Sequence, residues 1–407
     1  MTIVAVGLQI YGLTGSTLAV SFVGLFALVP MIVFGLYGGV LADAFDRRTV
    51  ALVSAVLAWT STAGIAAFAW LDVHVVWPLY ILTTVNAVAA TVIGSTRQAI
   101  MPRLLPARLL PAASALGGIS IGVMVTLGPA LAGLLVATVG ISWTYTVDVV
   151  LFLAAFLGIF TLPRIIPEGE RQRAGLQSVL FGLRFLKTAP NIRMTFVLDI
   201  IAMTFGQPRA LFPAVGALLI GGGPVTVGIL TAAGAVGVLL SSVFSGRLGH
   251  VRWQGRAVGR AIMAYGACVL GFGIVLAVVA LGGNGSSALG GSAPGGQNIA
   301  DTNLAALIAA SVLLAGSGAA DNISSIFRMT ILQSSVPDAM RGRLQGIFTV
   351  VVTGGPRLGD LYVGLLALTG VLWFPPLLGG LVIVVAVGVI VRVHRSFRRY
   401  DALEPLP

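Results

Sequence analysis

The chain has 407 residues, 57% of them hydrophobic and only 9% charged, and its mean hydropathy of +1.02 excludes an ordinary soluble protein. Its formal net charge of +11 raises nucleic acid as a partner, but the charge sits in short connections between long apolar runs, the pattern of a multi-pass membrane protein.

At about 20 apolar residues per crossing, eleven full runs and one partial run follow in order. The partial run, Met1 to about Leu13, rises only about 18 Å against a hydrocarbon core of about 30 Å. The expectation is a start placed too late, with a first helix truncated at its N-terminus. A signal peptide is the competing reading, and it lacks a basic leading region and a small-residue cleavage site. Full runs lie at 17–42, 49–71, 76–97, 112–137 and 141–163, then at 193–219, 224–246, 259–282, 303–327, 343–368 and 373–393.

Between the second and third runs, Gly39-Val40-Leu41-Ala42-Asp43-Ala44-Phe45-Asp46-Arg47-Arg48 packs two acids and two arginines into one turn. In the fifth run, Gly128-Pro129-Ala130-Leu131-Ala132-Gly133 loses a backbone hydrogen bond at Pro129 and aligns small residues, which predicts a bend at a close helix contact. The basic stretch Arg164 to Arg193 contains Ser178 to Lys187, with Val179, Leu180, Leu183 and Leu186 on one helical face opposite Arg184 and Lys187. That segment is expected to lie along the membrane surface, as a tether or a regulatory latch. Gly282 to Thr302 reads as a flexible Gly/Ser/Ala-rich loop.

The positive charges define one face. Arg47 and Arg48, Arg97, Arg103 and Arg108, Arg164 to Arg193, Arg247 to Arg260, Arg328, Arg341 and Arg343, and Arg392 to Arg399 fall on alternate connections. Of 24 Lys and Arg only Arg209 and Arg357 lie elsewhere, inside predicted helices. The positive-inside rule assigns the charged connections, the linker and the C-terminus to the cytoplasm and removes the case for nucleic acid. Cys268 is alone in a span, and His74, His250 and His394 stand at unrelated spacings, so no disulfide or zinc site is expected. The only lysine, Lys187, follows no glycine-rich loop, which excludes a P-loop ATPase. No nucleophile, base or metal set occurs at useful spacing, so neither an enzyme nor a cofactor is expected.

The halves repeat. Arg97 with Pro106 matches Arg328 with Pro337 at an offset of 231 (328 − 97; 337 − 106), Gly128-Pro129 matches Gly355-Pro356 at 227, and Gly39-x-Leu41 matches Gly246-x-Leu248 at 207. The shorter offset reflects the extra loop 282–302. Six plus six spans in parallel halves describe an all-α membrane protein of two bundles rocking about a midplane site. The expected divisions are an N-terminal bundle at 1–163, a linker at 164–192, a C-terminal bundle at 193–399 and a tail at 400–407.

Gly39, Leu41, Ala42, Asp43, Asp46, Arg47 and Arg48 resemble the loop motif of the major facilitator superfamily. Phe205-Gly206-Gln207-Pro208-Arg209-Ala210-Leu211-Phe212-Pro213, Gly318-Ala319-Ala320-Asp321, Phe327-Arg328, Gly342-Arg343-Leu344-Gln345-Gly346 and Gly354-Gly355-Pro356-Arg357-Leu358-Gly359-Asp360 resemble its bacterial exporter branch, which includes the enterobactin exporter. The resemblance covers nearly the whole chain. It implies the twelve-span fold and a secondary transporter of the bacterial cytoplasmic membrane, exporting a siderophore or hydrophobic drug-like molecule against protons by alternating access. An importer or uniporter of a small solute is the alternative. Expected partners are a small-molecule substrate, protons and the bilayer, with the chain a monomer. The resemblance further implies that Asp43 meets the N-terminus of the eleventh span near Arg343, and that Arg47 and Arg48 pair with acids across the bundles when the cytoplasmic side is shut. Two departures stand out. The fourth span carries Asn86 and Thr91 where drug antiporters of the superfamily carry an arginine, and the chain joins the pattern only at about Leu8.

Six ionisable groups fall within spans: Asp148, Asp199, Arg209, Asp321, Arg357 and Asp360. Each costs at least about 2.5 kcal/mol at mid-bilayer without a partner or a watery cavity, so they are functional candidates by default. Asp148, on a sixth span expected at the outside of the bundle, reads as structural. Arg357 and Asp360 are three apart and can pair on one helix face. By analogy with the superfamily, Asp199, Arg209 and Asp321 lie on spans lining the central cavity. Burial raises a carboxylate's pKa and a nearby arginine lowers it, so making or breaking a pair can load and release a proton. Asp321 is the first candidate, and Asp360, with Arg357 or Arg209 as counter-charge, the second. Buried structural pairs are the competing reading.

Overall fold

The computed structural model describes every residue except 105, 107–108, 162–183, 245–250, 283–301, 336–337 and 403–407. At 35–44, 98–99, 102–103, 110–115, 118–119, 121, 155, 157, 333, 338–349 and 353 it describes the backbone alone. The apolar runs become helices: α1 (Thr2–Thr14), α2 (Thr17–Ala44), α3 (Arg47–Trp70), α4 (Trp77–Leu104), α5 (Leu110–Val139) and α6 (Ile141–Phe160). The second half holds α7 (Pro190–Phe205), α8 (Phe212–Leu218), α9 (Gly223–Val243), α10 (Gln254–Gly282), α11 (Leu304–Ser335), α12 (Asp338–Ala367), α13 (Phe374–Val393) and α14 (Arg395–Arg398).

Among the described residues nine helices, α2 to α6, α9 to α11 and α13, are long and apolar enough to cross a membrane. The other three expected spans differ individually. α1 has 13 residues. α12 carries Arg357 and Asp360 in its interior. The run 193–219, expected as one helix, is broken: α7 stops at Gly206, and a 3-10 turn at Arg209–Leu211 leads into α8. The cause is local, because Pro208 has no N–H to offer the preceding turn and its ring crowds that turn.

Packing repeats between the halves. In the first, α2 and α3 pack on α4 and α3 on α6; in the second, α9 and α10 pack on α11 and α10 on α13. The halves meet along two seams, α5 against α9 and α2 against α12. They also touch at the arginine-poor end, where Val4 and Leu8 of α1 and Val20 of α2 pack against the cluster that contains Leu211, Phe212, Val215 and Ile220.

The α5–α9 seam explains the small residues of the fifth span. Gly133 lies on Gly228 so closely that a Cβ at 133 would stand 2.8 Å from the Gly228 Cα, and a Cβ at 228 would stand 2.9 Å from the Pro129 carbonyl oxygen. Two backbones touch here, with no side chain able to yield. Replacing Gly133 by Val is expected to cost about 1–3 kcal/mol through overpacking. A lowered thermal midpoint in detergent would register it, while Gly94→Ala, which meets nothing within 4 Å inside α4, should leave the midpoint unchanged or raise it, alanine being favoured over glycine within a helix by about 0.5–1 kcal/mol.

Candidate functional site

α11 continues to Ser335, past the expected end at 327, and the extension carries Arg328 into the protein interior. Arg328 is therefore no loop residue. Its side chain is 4% exposed, with Nη1 paired to Oδ1 of Asp199 on α7 and Nη2 3.5 Å from Oδ1 of Asp321, two turns earlier on α11. Two carboxylates share one guanidinium. Asp199 is 3% exposed and Asp321 32%, so one acid is sealed and the other reaches open space. Leu198, Phe327 and Ile331 belong to the apolar cluster packed around this site. Among the described residues the buried Ser324 Oγ, Asp199 Oδ2 and Arg328 Nε make no hydrogen bond, so the triad carries its charge with few supporting donors or acceptors.

Sequence reasoning singled out both acids and missed their partner. The available signal was spacing: positions 321 and 328 lie seven apart, nearly two helical turns, and so share a face wherever the helix is not interrupted between them.

The second pair is the expected one. Arg357 Nη1 and Asp360 Oδ2 lie 3.7 Å apart on α12, with side chains 23% and 15% exposed. They press on α2, where a Cβ at Gly24 would stand 2.9 Å from both Arg357 Cδ and Asp360 Oδ2. This pair therefore occupies the α2–α12 seam between the halves. Arg209, on the 3-10 turn, makes no ion pair among the described residues. At the neighbouring break the Tyr265 hydroxyl donates to the Gly206 carbonyl at 2.6 Å, satisfying an acceptor that the interrupted helix leaves over.

Other predicted residues have local roles. Asp148 accepts from the Thr2 amide at 2.9 Å and from the Thr2 hydroxyl, tying α6 to the start of α1. Asn86 donates to Ala58 and Thr62, fastening α4 to α3. Asp46 caps α3, accepting from the Arg48 amide at 3.2 Å and the Thr49 hydroxyl at 3.1 Å. Arg48 Nη2 donates to the Phe160 carbonyl at 2.7 Å and its guanidinium stacks over that ring, so in this conformation it serves the end of α6 in its own half. Gly39, Leu41, Ala42 and Asp43 lie on helical backbone, and the side chains of Leu41, Ala42 and Asp43, like that of Arg343, fall outside what is described. So do 178–183 of the expected surface helix, the loop 283–301, Gly246, Leu248 and Pro337. Leu186, at the end of that surface helix, packs into a cluster with Ile192, Phe196 and Leu332. Among the described residues no three His, Cys, Asp or Glu come together to hold a metal ion.

Comparison with known proteins agrees with this architecture. The profile of the family described as transmembrane secretion effector matches residues 1–287. The chain is 27% identical to the enterobactin exporter EntS of Shigella boydii serotype 18 over 361 residues, covering 89% of this chain and 80% of the other. The in meso crystal structure of the POT family transporter PepTSo superimposes with a TM-score of 0.67 at 16% identity, covering 98% of this chain and 97% of that one. The inward-open xylose transporter XylE of E. coli gives 0.61 at 14% identity, covering 95% and 94%. At these identities the two structures share the fold.

Arg328→Gln is expected to cost about 3–5 kcal/mol, the penalty for stranding buried charge. Adding Asp199→Asn should recover part of that loss. Thermal unfolding of the single and double variants in detergent measures both; additive losses would show that the two side chains do not depend on each other.

Proposed function

The chain belongs to the transmembrane secretion effector family of the major facilitator superfamily, transport proteins rather than enzymes, and on that premise we propose that it exports a siderophore or hydrophobic drug-like molecule across the bacterial cytoplasmic membrane in exchange for protons. Embedding in the membrane and a small-molecule substrate follow from the family. The export direction, the proton and the substrate class are the proposal. So are the twelve-span count, the two-bundle division at 1–163 and 193–399 around a linker, the cytoplasmic placement of the arginine-rich end, and a monomeric state.

The observation that carries the proton is the triad of Asp199, Asp321 and Arg328. Two carboxylates against one guanidinium balance only when a single proton is held among them, and a buried site strongly favours that balance. Asp321 is the member with access to open space and so the place where the proton enters and leaves. When it is protonated, Arg328 and Asp199 remain as a neutral pair; when it is ionised, the triad carries one negative charge, and the two states have different affinities for neighbouring cations such as Arg209. A protonation that distinguishes two conformations shifts the balance between them by that difference in free energy. The pair Arg357–Asp360 lies at a seam that alternating access must disturb, which gives Asp360 a second, subordinate part in coupling. The turn from Gly39 to Arg48 is assigned to the cytoplasmic gate, with Asp43 set against a helix N-terminus, a contact worth about 0.3–1 kcal/mol.

Inside-out vesicles should accumulate the exported molecule while the imposed pH gradient lasts and lose it when the gradient is collapsed; uptake indifferent to the gradient would refute proton exchange. In the same vesicles Asp321→Asn is expected to abolish gradient-driven accumulation while leaving substrate binding in place, and a wild-type rate with unchanged pH dependence would remove Asp321 from coupling.

Replacing Asp43 by Asn should release the gate and raise the inward-open population. Cysteines introduced near the cytoplasmic ends of the spans would then label faster, whereas unchanged labelling would dismiss the gate assignment.

A further inference from the structure

The arginine-rich end of the second half gathers charge from two segments far apart in sequence. Arg252, Arg256 and Arg260 surround the start of α10, and Arg392, Arg395 and Arg399 follow from the end of α13; all six are exposed. The C-terminal segment is pinned to α10. Phe397 is fully buried and Tyr400 nearly so, the Phe397 backbone lies against Gly255, Trp253 bridges Asp401, and the Ala402 amide donates to the Arg252 carbonyl at 3.0 Å. The Tyr400 hydroxyl also reaches Ser334 and Ser335 at the end of α11.

Among the described residues one carboxylate answers this charge. Asp401 holds Arg252, with Oδ2 2.8 Å from Nε and 2.7 Å from Nη2. Among the described residues Arg256, Arg260, Arg392, Arg395 and Arg399 have no acidic partner. Arg252 and Arg256 both lie over the Trp253 ring, at 5.1 and 5.3 Å from its centroid. That ring is itself 38% exposed. Asp401 already answers Arg252, so the charge left over on this indole is that of Arg256, with Arg260 one helical turn beyond it. An exposed tryptophan at a membrane-protein helix end sits at the level of the lipid headgroups, where the available anion is a phosphate diester with acyl chains below it.

We propose that the surface formed by Trp253, Arg252, Arg256 and Arg260 with the pinned C-terminal segment binds the headgroup of an anionic phospholipid. The indole and the stems of the arginines meet the glycerol and upper acyl region, and the guanidiniums of Arg256 and Arg260, one helical turn apart, take the phosphate. The rigid attachment of Phe397 and Tyr400 holds Arg395 and Arg399 ready beside it, so little ordering is lost on binding. The assignment stands on this surface alone and does not depend on what the protein transports.

The test is native mass spectrometry of the full-length protein released from detergent with equal amounts of phosphatidylglycerol and phosphatidylcholine. The parent should retain phosphatidylglycerol preferentially. Arg256→Gln with Arg260→Gln should weaken that preference about fivefold for each arginine removed, whereas the corresponding lysine variants should keep most of it. Helical circular dichroism and the gel-filtration profile confirm that the variants are folded. An undiminished preference in the double glutamine variant overturns the proposal, as does displacement of the lipid by excess inorganic phosphate, which would mark a site for free anions.

Discussion

Arg328 is the group on which the second half turns. A guanidinium does not lose its proton within a protein, so a buried arginine obliges the fold to deliver negative charge to it. Here α7 brings Asp199 and α11 brings Asp321. The two helices are thereby tied at one point by a fixed cation and two acids, only one of which reaches open space. The same arrangement constrains folding, because its charge balances in one protonation state and not in the other, and it is this imbalance on which the proposed coupling rests.

The fold was legible because lipid imposes a length. A crossing needs about 20 apolar residues and a closed hydrogen-bonded backbone, and both leave a plain mark in composition. The repeat was legible too, since Gly128-Pro129 and Gly355-Pro356 sit at equivalent places in helices that pack equivalently. What composition does not mark is where a helix ends once it enters protein rather than water. The apolar stretch of α11 fades near residue 327 while its backbone hydrogen bonds continue to Ser335, and Arg328 falls in that difference. The break in the seventh run was likewise written in Gly206-Gln207-Pro208-Arg209, but the apolar residues on both sides carry a window of span length across it.

At the site, the candidate acids could be named because charge inside an apolar run is costly wherever it occurs. Their pairing was legible only in part. Arg357 and Asp360 share one helix three residues apart, and helical geometry alone brings them together. Asp199 and Arg328 meet across two helices, which no local spacing reveals. The loop motif shows the opposite limit: Asp46 does what its position before a helix dictates, capping α3, while Arg48 takes a carbonyl on α6 that no spacing points to.

The two seams between the halves have diverged in kind. Where α5 crosses α9, Gly133 rests on Gly228 and cohesion comes from dispersion between bare backbones; where α12 crosses α2, a guanidinium and a carboxylate lean on Gly24. Dispersion at the first is indifferent to dielectric, whereas attraction within the ion pair at the second falls steeply as water enters. Water reaching the second seam therefore weakens the brace that holds this pair of side chains against Gly24, whereas the first seam offers water no charge to act on.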